Sequence, residues 1–128
     1  MLPLFLTLPA LLAPYLADET VSGHALRDVS YVLQGVGDSA AAARFTIAFP
    51  TEGRIEGEGP CNRFSARQTA PYPWFAVEGL VSTKRACPAL AEESAYLEAL
   101  AAMTLAEASG PVLILSDDTG REMVFRVE

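Results

Sequence analysis

The sequence predicts an α+β fold in which a small antiparallel β-barrel carries one inserted α-helix. Short segments with alternating apolar residues, separated by turns rich in Gly and Pro, predict strands in the first part of the chain. One segment rich in Ala and Glu follows them, with apolar residues near helical spacing. Two more strand-like segments come after it. Strands, one helix and a closing hairpin are together typical of this fold class.

The clearest strand pattern lies in residues 44–49, where Phe45, Ile47 and Phe49 share one face. Residues 37–43 are small and polar and predict a loop. Gly and Pro residues mark further breaks between the apolar segments. The strands predicted before the helix are residues 29–35, 44–49, 54–58, 61–68 and 74–81.

The single predicted helix spans residues 88–105. Glu92 and Glu93 fall in its first turn, where carboxylates interact favourably with the helix dipole. Adjacent helical residues point in different directions, so this pair is interpreted as helix-start charge and not as an acid pair. The apolar residues near helical spacing are Leu90, Leu97, Leu100, Ala101 and Leu105. Beyond the helix, we expect a lead-out at 106–110, strands at 112–115 and 122–127, and a turn at 117–120.

The charge of the chain argues against nucleic-acid binding. The formal net charge is −7, and Lys84 is the single lysine beside eight arginines. No basic stripe is present, although phosphate backbones require clustered positive charge. An anionic membrane surface would also repel this chain.

The amino-terminal residues 1–17 carry no charged side chain and are typical of the apolar part of a secretory signal peptide. They are too short and too rich in proline for a comfortable membrane span. The alternatives are an uncleaved apolar anchor, which is the one membrane contact we expect, or a mis-set start. The sequence is therefore divided into a leader at 1–17, a loose polar lead-in at 18–28 and a folded domain at 29–128.

Three sequence blocks resemble the META domain (HslJ-like) family. They are GEGPCNRF at residues 57–64, STKRACP at 82–88, and the helical EESAYLEAL at 92–100 with the hairpin that follows. The resemblance covers roughly residues 29–127. The sequence departs from the family pattern at Tyr31, Pro60 and Ala66, which concerns local loop geometry more than the fold.

The resemblance implies a lipocalin-like β-barrel with one helix, in exported bacterial proteins associated with stress and envelope phenotypes. It also implies that catalytic activity is absent. We expect a periplasmic or secreted monomer without a cofactor, which binds an unknown envelope protein or small ligand. An alternative is a small-ligand carrier with a lipocalin-like cavity. The aromatic residues Phe64, Tyr72, Trp74 and Phe75 would line such a cavity, or would simply form the core.

The chain has two cysteines, Cys61 and Cys87. An even number of cysteines in an exported chain favours their pairing in an internal disulfide. Two buried free thiols remain an alternative if the chain is cytosolic. A zinc site needs more ligands than these residues and the single histidine, His24, supply. A Cys–His nucleophile pair would need His24 to reach one of the cysteines.

The polar residues next to the cysteines are the candidate binding patch. A Cys61–Cys87 bond would bring their neighbours together, and the patch consists of Asn62, Arg63, Lys84 and Arg85. Asn62 is expected to satisfy backbone groups of its turn, and the two arginines to pair with Glu58 or Glu92. The alternative is a small basic patch that holds an anionic ligand or a partner's carboxylate.

An enzyme, thiol-dependent or of the aspartic-protease type, is the third interpretation. Asp118-Thr119-Gly120 matches the aspartic-protease triplet, but that chemistry needs two such carboxylates and apolar flanking residues. Polar residues flank the triplet here, so a hairpin turn is the preferred interpretation. Ser82 and Thr83 have no histidine near them in sequence, which argues against a serine hydrolase.

Overall fold

Within residues 17–128, the alternation of inward apolar and outward polar side chains organises the strands into one nine-stranded antiparallel sheet. The computed structural model describes residues 17–128, so the predicted leader lies outside the described residues apart from Ala17. A 3₁₀ turn at Val21–Gly23 precedes the sheet, and helix α1 spans Leu90–Ala102. The strands are β1 Tyr31–Val36, β2 Ser39–Ala40, β3 Thr46–Ala48, β4 Arg54–Glu58, β5 Arg63–Arg67, β6 Glu78–Ser82, β7 Leu105–Ser109, β8 Val112–Ser116 and β9 Glu122–Val127.

The strands lie in the order β6-β5-β4-β3-β1-β9-β8-β7, with the short β2 paired to β1. The segment before β6 crosses to the other end of this series, where Trp74 forms an antiparallel bridge with Leu105 of β7. Hydrogen bonds from the Phe75 amide to the Thr104 carbonyl and from the Ala106 amide to the Pro73 carbonyl, both 2.8 Å, flank the bridge. The sheet therefore curls into a half-barrel with one helix, which confirms the predicted α+β, barrel-like fold.

The inner face of the sheet carries the core. Phe45, Ile47 and Phe49 are all buried, as their alternation predicts. The interior is filled by side chains, and the largest of those with almost no exposure are Tyr31, Phe45, Phe125, Ile47, Ile55, Leu100, Met103, Leu113, Leu115 and Met123.

The four aromatic residues considered as a cavity lining do not converge on one cavity. Phe64 and Phe75 are buried in the core, whereas the Trp74 side chain is 58% exposed. Tyr72 is half-buried, and its hydroxyl accepts a hydrogen bond from the Ala108 amide. The four residues therefore do not line a shared cavity: two of them belong to the core and two lie near the surface.

The helix is shorter than predicted, because Leu105 starts strand β7 instead of ending the helix. Residues 106–110, expected to be a lead-out, lie mostly in β7. Every residue of β7 pairs with β8, and this pairing overrides the helical preference of an Ala- and Glu-rich segment. The buried residues of α1 are Glu93, Tyr96, Ala99 and Leu100. Within residues 17–128, no helix has the length and apolar content needed to cross a bilayer.

The predicted strand 74–81 is divided between two partners. Trp74 bridges to β7, while β6 pairs with β5 on the other side of the sheet. Gly79 has a φ of +62°, which L side chains rarely adopt, and the β5–β6 register shifts between Ser65 and Arg67. The predicted loop 37–43 also contains a strand, the two-residue β2.

The lead-in is packed against the domain and is not loose. The Asp18 carboxylate accepts hydrogen bonds from the Thr20 amide at 2.8 Å and from the hydroxyls of Thr20 and Ser22. Burial is the largest single influence on the Asp18 pKa and raises it, but these hydrogen bonds together bring that pKa below its usual value. The Tyr72 amide bonds the Glu19 carbonyl at 2.6 Å, and the His24 ring stacks on Tyr72.

Val21 is the apolar anchor of this lead-in, with only 1% of its surface exposed. We expect Val21→Ala to lower the free energy of unfolding by about 2 kcal/mol, from two buried methyl groups and the space that they leave. Urea denaturation followed by circular dichroism measures this effect. Leu26→Ala is the matched control, because Leu26 is 44% exposed and belongs to the same segment. Equal effects of the two changes would contradict a packed lead-in.

Candidate functional site

The Cys61–Cys87 disulfide joins the loop between β4 and β5 to the segment that enters α1. The two Cα atoms lie 5.6 Å apart, and 26 positions separate the cysteines in sequence. The Cys87 carbonyl accepts the Leu90 amide at 3.0 Å, so the bond holds the first turn of the helix as well. Such disulfides form and persist in oxidising compartments, which indicates an oxidising environment for this protein.

Glu93 of α1 points into the same loop and is 2% exposed. One carboxylate oxygen, Oε1, accepts the backbone amides of Cys61 at 2.9 Å and Asn62 at 2.8 Å. The other, Oε2, accepts the Asn62 side-chain amide at 2.6 Å. The helix and the loop are therefore joined by a buried carboxylate as well as by the disulfide.

Three hydrogen bonds keep this carboxylate ionised. Burial is the largest single influence on the Glu93 pKa and acts to raise it. Together, the hydrogen bonds from the Asn62 side chain and from the Cys61 and Asn62 amides lower the pKa by more than burial raises it. The Glu93 pKa therefore lies below the usual glutamate value. Space is tight as well, because a Cβ atom at Gly59 would overlap the Glu93 carboxylate. Position 59 therefore favours glycine as long as Glu93 keeps its hydrogen bonds.

Asn62 connects this loop to the segment that follows β6, and its side chain is buried, with 5% of the residue exposed. Its Oδ1 accepts the Arg85 amide at 2.6 Å and the Thr83 hydroxyl at 2.8 Å. Its Nδ2 donates to the Arg85 carbonyl at 2.9 Å and to Glu93. We call Cys61, Cys87, Asn62 and Glu93 the clasp. Asn62 thus satisfies backbone groups of the 83–85 segment, whereas the sequence suggested groups of its own turn.

The cationic residues of the predicted patch lie at the surface beside the clasp. Arg63, Lys84 and Arg85 are all exposed. Among residues 17–128, the arginines in ion pairs are Arg44, Arg54 and Arg121, so the expected pairing of Arg63 or Arg85 with Glu58 or Glu92 is wrong. Exposed pairs gain little energy and restrict two long side chains, so cross-strand neighbours such as Glu58 and Arg63 need not make contact.

An open groove of about 770 Å³ crosses the outer face of strands β3–β6. Its floor consists of small side chains, and the Arg44–Glu128 ion pair, at 2.8 Å, lies at its border. A second depression of about 300 Å³ lies over the clasp loop and shares Glu58 and Arg63 with the first. We call the two together the groove. It is lined by Ser30, Arg44, Thr46, Ala48, Glu56–Phe64, Ser65, Val81–Thr83, Arg85 and Glu128.

The residues considered for catalysis occupy structural positions. Asp118 and Gly120 lie in the turn before β9, where the Gly120 amide bonds the Asp117 carbonyl at 3.0 Å. A hydrogen bond from the Thr119 hydroxyl is the largest influence that lowers the pKa of Asp117. The backbone amides of Thr119 and Arg121 and the charge of Arg121 act in the same direction. Within the described part of the chain, no group of three or more His, Cys, Asp and Glu side chains is arranged to hold a metal ion.

Glu93 is the residue of this site that the sequence interpretation missed. Its position carried a signal, because Glu93, Tyr96 and Leu100 follow the three- and four-residue spacing of one helical face. An acidic residue on an otherwise apolar face predicts a buried carboxylate with donors around it.

Comparisons with known proteins agree with the resemblance and the fold. A model of the META domain matches residues 24–128. No curated protein matches the sequence. A protein from Burkholderia xenovorans, solved by NMR, is 25% identical with a TM-score of 0.63, over 80% of this chain and 83% of that one.

Two further solved structures share the fold. Another protein solved by NMR is 22% identical with a TM-score of 0.60, covering 80% of this chain and 91% of that chain. A crystal structure of a DUF4847 family protein from Bacteroides vulgatus is 18% identical with a TM-score of 0.51, covering 64% and 57%.

Proposed function

Because this chain belongs to the META domain family, we propose that it is a non-catalytic interaction module of the bacterial cell envelope that binds a partner through the groove. The observation that carries this proposal is the combination of an interior filled by side chains with a large open groove on the outside of the sheet. A carrier with a lipocalin-like cavity would instead need an enclosed apolar space to surround its ligand.

The groove has the composition of a recognition surface. Charged side chains of both signs, among them Glu56, Glu58 and Arg63, stand around small residues and the 62% exposed Val81. Most of the small residues are Ser and Thr, so the groove matches the polar and charged part of a protein interface, with Val81 as its exposed apolar contact. The clasp holds the loop at one end of the groove in place, so the surface is organised before a partner arrives.

The location in the periplasm or outside the cell is supported by the disulfide, since oxidising compartments preserve such bonds. The similar protein from Burkholderia xenovorans is bacterial, which agrees with the bacterial source in the proposal. A role in envelope stress is part of the proposal and follows from the resemblance to the family.

The proposal contains no chemical step. Both cysteines are used in the disulfide, His24 stacks on Tyr72, and the Asp118 triplet forms a hairpin turn. The cysteines, the histidine and the Asp118 triplet thus each have a structural task in the fold.

Photo-crosslinking in bacterial cells that express the full chain tests this function. We expect benzoylphenylalanine at Ser65 or Val81, in the groove, to form an adduct with one defined protein, while the same probe at the exposed Glu107 of β7 does not. The purified partner should then bind the wild-type protein at least tenfold more tightly than Arg63→Glu. Adducts at Glu107 alone, or purified components that do not bind, would contradict the proposal.

A further inference from the structure

Strand β6 is an open edge of the sheet. Of the strands in the described part of the chain, only β5 pairs with it, on one side. The Thr83 amide bonds the Arg63 carbonyl, and Val81 lies opposite Ser65 two residues earlier. Because backbone groups alternate in direction along an antiparallel strand, the Leu80 carbonyl and the amide and carbonyl of Ser82 face away from β5. Among residues 17–128, no further strand pairs with β6 on this side.

The other end of the strand series is treated differently. There the Trp74 segment covers β7 through its bridge to Leu105 and two backbone hydrogen bonds. Proteins usually cover, bend or charge an exposed edge, because it is a template for another strand. The bulge at Gly79 protects the beginning of β6, whereas its second half, with the exposed Val81, has no such cover.

The charges beside the open edge indicate what would pair with it. Lys84 and Arg85 follow β6 directly, and Arg63 stands on the neighbouring strand. All three are exposed and none is in an ion pair within the described residues. On a chain of net charge −7, this is a local positive site at one end of an unpaired strand.

We propose that an extended peptide segment of a partner protein adds to β6 as a further strand and places a carboxylate side chain against Lys84 and Arg85. The backbone groups of Leu80 and Ser82 supply the hydrogen bonds, and the groove receives side chains from one face of the peptide. This inference rests on the proposed function and names its class of partner. A second copy of the chain is a poorer occupant, because two chains of charge −7 repel each other.

The first test needs no variant. A phage-displayed library of random twelve-residue peptides is selected on the full-length protein, and the selected peptides are synthesised. We expect extended sequences with an acidic residue towards one end. Hydrogen exchange measured by NMR should show the Ser82 amide slowed at least tenfold in the complex, with little change at the already paired Val81 amide.

Two variants then separate the backbone from the charge contribution. Ser82→Pro removes an amide that makes no hydrogen bond in the free protein, and should weaken peptide binding about tenfold, the upper range for one hydrogen bond. Ser82→Ala keeps the amide and is its matched control. The double change Lys84→Glu and Arg85→Glu should weaken binding and end the loss of affinity that added salt causes with the wild-type protein.

The outcomes are distinct. Selected peptides that bind and protect the Ser82 amide support the inference. Peptides that bind without protecting it would overturn the added strand but leave an interaction module. A library without binders counts against both proposals if the crosslinking experiment also fails, and against the peptide partner alone if it succeeds. Protection that rises with protein concentration, without peptide, would replace the partner with a second copy.

Discussion

Glu93→Ala is expected to lower the free energy of unfolding by about 3–5 kcal/mol, because it leaves several buried donors without an acceptor, at about 1–3 kcal/mol each. The donors are the amides of Cys61 and Asn62 and the Asn62 side chain. Urea denaturation of the oxidised protein measures the loss. Glu92→Ala is the matched control, since Glu92 is the adjacent, half-buried helical carboxylate. Similar losses for both variants would show that the contacts of Glu93 are unimportant.

The same residue predicts a dependence on pH. The Glu93 pKa is lowered by folding, so its contribution to stability is complete above the unfolded pKa of about 4.3 and is lost as pH falls through the folded value. Glu93→Gln has no carboxylate at this position and should be less stable at neutral pH. The difference between wild type and Glu93→Gln should therefore narrow as the solution is acidified below about pH 4. A constant difference would indicate that ionisation of Glu93 is not involved.

The double change Cys61→Ala and Cys87→Ala is expected to cost about 3–4 kcal/mol, the chain-entropy value for a loop of this length. The midpoint of thermal unfolding should fall by more than about 10 °C. Reduction of the wild-type protein with dithiothreitol is the control, because it should reproduce the loss without any substitution. Unfolding of the double variant should not respond to the reductant. A small change in both experiments would mean that Asn62 and Glu93 hold the loop without the disulfide.

These two expected losses concern the same loop and should not be additive. The disulfide and Glu93 both hold the Cys61 backbone against the helix. Once one of them is removed, the loop is freer to move, and the contacts of the other then stabilise the folded protein less. The clasp therefore acts as one unit that positions the segment next to Arg63 and Arg85.

The parts of the fold that could be predicted are those in which local pattern and final pairing agree. Strand β4 at Arg54–Glu58 and strand β9 at Glu122–Val127 have the predicted bounds, since alternation and flanking turns mark both. The inward set Phe45, Ile47 and Phe49 was visible for the same reason. Local sequence is sufficient where each residue already favours the conformation that the sheet requires.

The strands that the sequence interpretation missed depend on contacts between distant segments. Strand β7 has the composition of a helix end, and its pairing with β8 decides its conformation. The division of residues 74–81 depends on the bridge of Trp74 to Leu105, which is thirty-one positions away in sequence. The pattern of residues within either segment contains no information about such a distant partner.

The candidate site shows the same division. A bond between the two cysteines predicts, from sequence alone, one neighbourhood that contains Asn62, Arg63, Lys84 and Arg85. The groove itself could not be predicted, because it arises from the curvature of strands that are separated by turns. The role of Glu93 needed the three-dimensional placement of a loop over the first turn of the helix.

The pairing of β1 with β9 determines when this sheet can be completed. These strands are the first and the last of the chain, yet they are neighbours in the middle of the strand order. Until β9 is available, β1 lacks its partner on one side, and no strand joins the β7–β8 hairpin to β1. A chain made or exported from its amino terminus must therefore wait for its last strand before the core closes, and the early strands need protection from aggregation during that interval.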